Sequence, residues 1–149
     1  MKRIAIIMVD DDEIARVLFE DAVEEAREYV KDISFSVDGV DLLERLRRQG
    51  EYASMEEEAL PDLVVLDLSM PRMDGYQLLE ELGKDKAFEN IPIVVMSTTS
   101  DEQEVKRCYS LGAAGFIVKP ASMEERLKAV KSLASYWSNI MAVPRRVSY

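Results

Sequence analysis

The sequence predicts an α/β fold, a parallel five-stranded sheet with helices on both faces. Two observations carry that prediction. Short runs rich in Ile and Val recur along the 149 residues, and stretches with apolar residues at three-four spacing lie between them. Strands alternating with helices over short connections give a parallel sheet with right-handed crossovers. The length suits one domain with a proper core, spanning 1–149 with the core over about 3–140 and a short tail at 141–149.

The elements follow in order. Ile4–Val9, Leu63–Leu66 and Ile93–Met96 are continuous apolar runs, the pattern of strands buried on both faces, and Phe116–Val118 is a shorter run of the same kind. Ile33-Ser34-Phe35-Ser36-Val37 alternates apolar with polar, which places it at a sheet edge with one face nearer water. Ala15, Leu18, Phe19, Ala22, Val23, Ala26, Tyr29 and Val30 trace the buried face of the first helix. Val40, Leu43 and Leu46 begin a second helix, and Tyr76, Leu79 and Leu82 a third. Ser100 with Gln103, and Ser122 with Glu125, read as capping boxes that open the fourth and fifth helices, and Gly112 as the stop of the fourth. The acidic stretch Gly50–Pro61 is the one long connection and reads as a surface loop. Residues 121–149 hold one helix and a tail, too little for an output domain.

Composition narrows the function. With 29 acidic against 19 basic residues the net charge is -10, which argues against nucleic-acid binding, since phosphate contacts need clustered Lys and Arg. The absence of histidine removes histidine-based zinc sites, Ser-His-Asp triads and an autophosphorylating histidine. One cysteine, Cys108, forbids an internal disulfide and fits a reducing cytosol. The apolar start Ile4–Val9 runs into Asp10-Asp11-Asp12, which an export signal does not tolerate. No run approaches the roughly eighteen apolar residues of a membrane span. The expectation is a cytoplasmic protein that binds neither membrane nor nucleic acid.

In open α/β sheets the functional site lies beyond the carboxyl ends of the strands. Here those ends carry Asp10 and Asp11, Asp67, Ser97 and Lys119. If the first and third strands are neighbours, three carboxylates meet in one cleft. Like charges so close repel and raise one another's pKa. A hard divalent cation offsets the repulsion, and Mg²⁺ takes one or two carboxylates together with waters and phosphate oxygens. A single Asp at a strand end is most often a cap or turn former, and Asp12 fits that description at the start of the first helix. The joint pattern at four strand ends is much harder to assign to turns.

These residues resemble the receiver domain of two-component response regulators. The resemblance runs through Val9-Asp10-Asp11-Asp12, Pro61 to Asp67, Met70-Pro71-Arg72-Met73-Asp74-Gly75, Ile91-Pro92, Ser97-Thr98, Gly112-Ala113 and Phe116-Ile117-Val118-Lys119-Pro120. It implies a doubly wound, flavodoxin-like (βα)5 sandwich with strand order 2-1-3-4-5. It also implies that Asp67 accepts a phosphoryl group from the phosphohistidine of a sensor histidine kinase. Asp11 resembles the direct Mg²⁺ ligand, Asp10 a ligand acting mainly through water, and Ser69 the residue whose backbone carbonyl completes the set. Lys119 resembles the lysine that pairs with a phosphoryl oxygen. Ser97 and Phe116 resemble the switch pair, in which a hydroxyl turns inward to the phosphoryl group and an aromatic follows into the vacated space. Phosphoryl transfer of this kind is mostly positioning plus charge neutralisation, and the chain itself is a signalling protein rather than an enzyme.

Two positions depart from the commoner pattern. Ser69 and Thr99 stand where an acid or amide would orient an attacking water, so self-dephosphorylation is expected to be slow. Thr98 is bulkier than the Ala common beside the switch hydroxyl. In the last helix Leu127, Val130, Ala134, Trp137 and Met141 form one apolar stripe, with Leu133, Tyr136 and Ile140 beside it. One stripe must face the sheet; the other either exposes apolar area that fits a contact surface or is covered by the tail Ala142-Val143-Pro144. Tyr136-Trp137, Val143-Pro144, Gly50-Glu51-Tyr52-Ala53 and Cys108-Tyr109-Ser110-Leu111-Gly112 resemble standalone receivers paired with bacterial phytochromes. That resemblance implies a phytochrome as the kinase and a two-fold homodimer through the fourth and fifth helices and the tail, with Leu133, Tyr136, Trp137 and Ile140 at the interface.

Two rivals stand beside this reading. Aspartyl-phosphate phosphatases also use a strand-end Asp with Mg²⁺, but need a second Asp two residues on, where this chain has Ser69. A flavodoxin-like phosphate binder needs a Ser/Thr/Gly-rich loop, and Asp10-Asp11-Asp12 would repel its ligand. Within the receiver reading two outputs stay open: regulation of a bound target, or a phosphorelay passing the group on to a histidine phosphotransfer protein.

Overall fold

The computed structural model describes residues 3–54, 60–68, 75–139 and 141, and within the first helix all side chains but that of Val23. The chain alternates strand and helix five times: β1 (Ile4–Val9), α1 (Glu13–Glu25), β2 (Val30–Ser36), α2 (Gly39–Arg47), β3 (Leu63–Asp67), α3 (Gly75–Lys84), β4 (Ile93–Ser97), α4 (Glu102–Ser110), β5 (Gly115–Val118) and α5 (Met123–Asn139). Single 3₁₀ turns follow α2 at Gly50–Tyr52 and α3 at Lys86–Phe88. All strand pairs are parallel and their order is β2-β1-β3-β4-β5. This is the doubly wound, flavodoxin-like arrangement that the resemblance implied. Among the described residues no helix is long and apolar enough to cross a membrane.

Alternate side chains of the apolar strands feed two cores, because a strand's side chains point to opposite faces. Ile7, Val9, Val64, Leu66, Ile93 and Val95 face one way and meet Leu42, Leu43 and Leu46 of α2, Leu78, Leu79 and Leu82 of α3, and Cys108 of α4. Ile4, Ile6, Met8, Leu63, Val65, Val94 and Met96 face the other way and meet Ala15, Phe19, Val130, Ala134 and Trp137 of α1 and α5. Cover on both faces explains why β1, β3 and β4 show no polar alternation.

Helix ends are set by side chains the sequence marks unevenly. Asp12 opens α1 by accepting from the N–H groups of Ile14 and Ala15 at 2.9 and 3.3 Å. Ser122 opens α5 by accepting from Glu125 N–H at 3.1 Å. At α4 the expected Ser100 is displaced by its neighbour: Asp101 accepts from Gln103 N–H at 2.9 Å. A carboxylate at the positive end of a helix dipole gains more than a hydroxyl does, so Asp101, which the sequence reading passed over for Ser100, is the residue that caps. Gly112 ends α4 as expected. It takes φ +104°, with Gly112 N–H on Tyr109 O and Ala113 N–H on Cys108 O, the paired bonds of a Schellman motif.

Two boundaries differ from the sequence reading. The apolar spacing of α1 continues through Tyr29 and Val30, yet the helix stops at Glu25 and Val30 is the first residue of β2, paired with Ile4 and buried. No Gly or Pro marks that stop; pairing with β1 overrides the helical pattern. The register slips between Ile4 and Ala5, whose partners are Val30 and Asp32, so Lys31 is the extra residue of a bulge. β2 is an edge strand as expected, but its polar side is covered: Ser36 is fully buried and Ser34 Oγ accepts from Arg45 of α2 at 2.8 Å. The acidic run Glu56-Glu57-Glu58 lies outside the described residues.

Candidate functional site

The three central strands end at a common level because their register is continuous: Val9 pairs with Leu66, and Asp67 with Met96. One further residue along β1 sets Asp10 beside Asp67. One carboxylate oxygen from each of Asp10, Asp11 and Asp67 lies within 4.8 Å of the others. The condition set by the sequence, that the first and third strands be neighbours, is met. Lys119, the residue after β5, donates from Nζ to Asp67 Oδ2 at 2.7 Å, and its own backbone N–H bonds Ser97 O at 2.6 Å.

Burial and charge make this cluster costly. Asp67 is 8% exposed and Asp10 9%, while Asp11 is exposed. Burial pushes the Asp10 carboxyl up from its ordinary value; the Asp12 N–H on Oδ1 at 2.9 Å opposes the shift, and the Asp67 charge adds to it. Lysine supplies one positive charge against three carboxylates. The donor set is all oxygen, tightly grouped and half open to solvent, which fits a hard divalent cation such as Mg²⁺. Asp10, Asp11 and Asp67 are the described residues able to hold one. Ser69, whose backbone carbonyl was expected to join them, lies outside the described residues, as do Met70 to Asp74 of the same motif.

Sheet parity divides the remaining site residues. Asp10, Asp67 and Lys119 follow Met8, Val65 and Ile117, all turned toward α1 and α5, and they line one cleft, partly open to solvent, together with Met8, Phe19 and Met96. Ser97 and Phe116 point to the other face. Phe116 stands opposite Val95 in β4 and Ser97 is two residues further on, so hydroxyl and aromatic are diagonal neighbours on the α3–α4 side. Both are half-buried, and Ser97 Oγ accepts from Thr99 N–H at 3.3 Å. Thr99 Oγ1 in turn accepts from Asp101 N–H at 3.0 Å, so that hydroxyl is engaged in the turn leading to α4.

The residues expected at a dimer interface separate. Trp137 is 8% exposed and belongs to the α1–α5 core, with its ring edge-on to Tyr136 at 5.3 Å. Its assignment to an outer surface is therefore corrected: the stripe running through Val130, Ala134 and Trp137 is the one that faces the sheet. Leu133 is partly buried against the same core, Tyr136 is exposed, and Ile140 lies outside the described residues, as do Val143 and Pro144. Two residues that the sequence reading quoted within motifs but gave no role position the site. Asp62 is buried at the start of β3, where its Oδ2 accepts from Ala5 N–H and its own N–H bonds Ala5 O, both at 2.9 Å, locking β3 to β1. Gly75 opens α3, where a Cβ would come within 3.0 Å of the Leu68 backbone just past Asp67.

A doubly wound fold with an acidic cleft and a lysine at the ends of its strands defines a class, and comparison with known proteins agrees. Residues 6–131 match the response regulator receiver domain, and the chain belongs to that family. It is 31% identical over 107 residues to the response regulator Rcp1 of Synechocystis sp., covering 72% of this chain and 71% of that protein. It is 30% identical over 139 residues to the two-component response regulator ARR3 of Arabidopsis thaliana, covering 90% of this chain and 55% of the relative. Among solved structures, the phosphorylated cyanobacterial phytochrome response regulator RcpA superposes with a TM-score of 0.84 at 29% identity, over 96% of this chain and 99% of RcpA. The Mn²⁺-bound form of Rcp1 superposes with a TM-score of 0.82 at 25% identity, over 95% and 99% of the two chains.

Proposed function

We propose that this receiver takes a phosphoryl group from the phosphohistidine of a partner histidine kinase onto Asp67, and that its surface then changes for partner binding. The observation that carries this reading is the Lys119 ammonium 2.7 Å from an Asp67 carboxylate that shares its cleft with Asp10 and Asp11. An Asp67 oxygen bonds to phosphorus as the donor's N–P bond breaks, and the imidazole leaves with the electron pair and takes up a proton from water. Lys119 holds the acceptor oxygen in place and then faces the incoming phosphoryl oxygens, which reduces the charge cost of bringing a dianion to a carboxylate. Asp10, Asp11 and Asp67 would hold Mg²⁺, and the ion would supply charge neutralisation when bound. On this reading the protein is a substrate and switch rather than an enzyme with an external product.

The start of α1 adjoins the cleft, whose lining includes its Ala15 and Phe19. There Ile14 is 71% exposed and Val17 57%, large apolar side chains on a helix whose cap belongs to the acidic run. That patch supports kinase docking beside the site. The likeness to RcpA supports a phytochrome as the kinase, and a cytoplasmic location accords with such a partner. Exposed Tyr109 on α4, Val118 on β5 and Tyr136 on α5 support a two-fold homodimer through that side of the molecule.

The deciding experiment incubates the protein with radiolabelled phosphorylated histidine kinases, a bacterial phytochrome among them, with and without Mg²⁺. Label should pass to wild type in the presence of Mg²⁺ and not to Asp67→Asn. Label on both proteins would place the acceptor elsewhere.

A further inference from the structure

Lys119 must deliver its ammonium to Asp67 from a segment that leaves the sheet at once: β5 ends at Val118 and α5 begins at Met123. One side of that corner is anchored, since the Lys119 N–H bonds Ser97 O. The next residue, Pro120, has no N–H to offer, so its only backbone tie is through its carbonyl. That carbonyl accepts from Arg126 Nε at 2.8 Å, across six residues. Helical side chains lean toward the helix N-terminus, which lets Arg126 reach back over the first turn of α5 to the corner. The other described basic groups of this helix behave differently: Lys128 pairs with Glu124 and Lys131 with Glu25. Arg126 is half-buried, and it lines the same cleft as Asp10, Asp67 and Lys119.

We propose that Arg126 is a positioning residue for Lys119. Its bond to the Pro120 carbonyl ties the Lys119–Pro120 corner to the start of α5, so the lysine backbone is held from both sides and the long side chain meets Asp67 from a fixed origin. The effect runs through geometry, with the guanidinium donating to a carbonyl rather than pairing with a carboxylate of the cluster. The kinetic consequence rests on Asp67 being the phospho-acceptor; the geometric one does not.

The test uses acetyl phosphate and Mg²⁺, with phosphoryl uptake followed by intact-protein mass. In this reaction an Asp67 oxygen bonds to phosphorus as the bond to the acetate oxygen breaks, and acetate leaves with the electron pair. Arg126→Leu should slow uptake about tenfold, the order found when a partner that orients a site residue is removed. Arg126→Gln, which keeps an N–H donor but no charge, should recover most of the rate. In a Lys119→Ala background Arg126→Leu should add nothing, because the two residues act through one another. Equal slowing with and without Lys119, or no slowing in the single variant, would overturn the proposal. A second readout needs no phosphorylation: the ¹⁵N-resolved ammonium signal of Lys119 should be sharp in wild type and lost in Arg126→Leu at unchanged circular dichroism. An ammonium signal indifferent to Arg126→Leu also overturns it. If wild type gains no phosphoryl mass while the ammonium responds as expected, the acceptor reading fails and the role of Arg126 stands.

Discussion

Asp11→Asn separates the metal-binding part of the site from its folding. Asp11 is the exposed member of the cluster, so the substitution removes a charge and a ligand without opening a cavity. In the metal-free protein it relieves repulsion with Asp10 and Asp67, and the melting temperature should stay level or rise. With Mg²⁺ at about ten times its dissociation constant, binding to the native state alone adds about 1.4 kcal/mol to wild type. For a chain of this length that is about 4 °C in Tm. At a hundredfold excess the gain is about 2.7 kcal/mol. Differential scanning calorimetry with and without Mg²⁺, repeated across a concentration series, should show the logarithmic rise in wild type and a nearly flat response in Asp11→Asn. A wild type indifferent to Mg²⁺, or a variant with the same rise, would refute the assignment of the three carboxylates as a cation site.

Further outcomes follow from particular contacts. Trp137→Ala should cost about 3–5 kcal/mol in urea unfolding because it empties part of the α1–α5 core, whereas Tyr136→Glu should leave folding intact and give monomers in light scattering if the proposed dimer forms. A dimer unaffected by Tyr136→Glu would count against the α4–β5–α5 side. Gly112→Ala should lose about 1–2 kcal/mol by thermal melt: open space surrounds the added methyl, so the cost is the positive-φ backbone alone. Tyr52 is pushed up to about 12 by burial and by its 2.9 Å bond to Asp41. Because the native state holds that proton more tightly, the stabilisation is complete below about pH 10, the unfolded value, and is lost as the pH rises through about 12. Tyr52→Phe should therefore be less stable than wild type at pH 9, with the gap closing by pH 12; a gap that does not change with pH would contradict the shift.

Much of the fold was legible because its signals are local. The runs around Val9, Leu66 and Val95 are β-branched and too short for helices, and their lack of alternation already implied cover on both faces. Asp12, Ser122 and Gly112 announced helix ends through chemistry that acts within four residues. Where the sequence misled, the deciding partner lay far along the chain. The helical spacing of Tyr29 and Val30 gave way to pairing with Ile4, and Ser34 looked solvent-facing until Arg45 of α2 covered it.

Residue type and local period alone marked the candidate side chains and put each at a strand's carboxyl end. How they divide depends on long-range packing. Strand order brought Asp10 beside Asp67, and parity put both with Lys119 on the α1–α5 face while Ser97 and Phe116 took the other. The two apolar stripes of α5 were equivalent on paper; packing chose one, and Trp137 went inward with it. Periodicity says that a helix has a face, and the neighbour it meets says which one is buried.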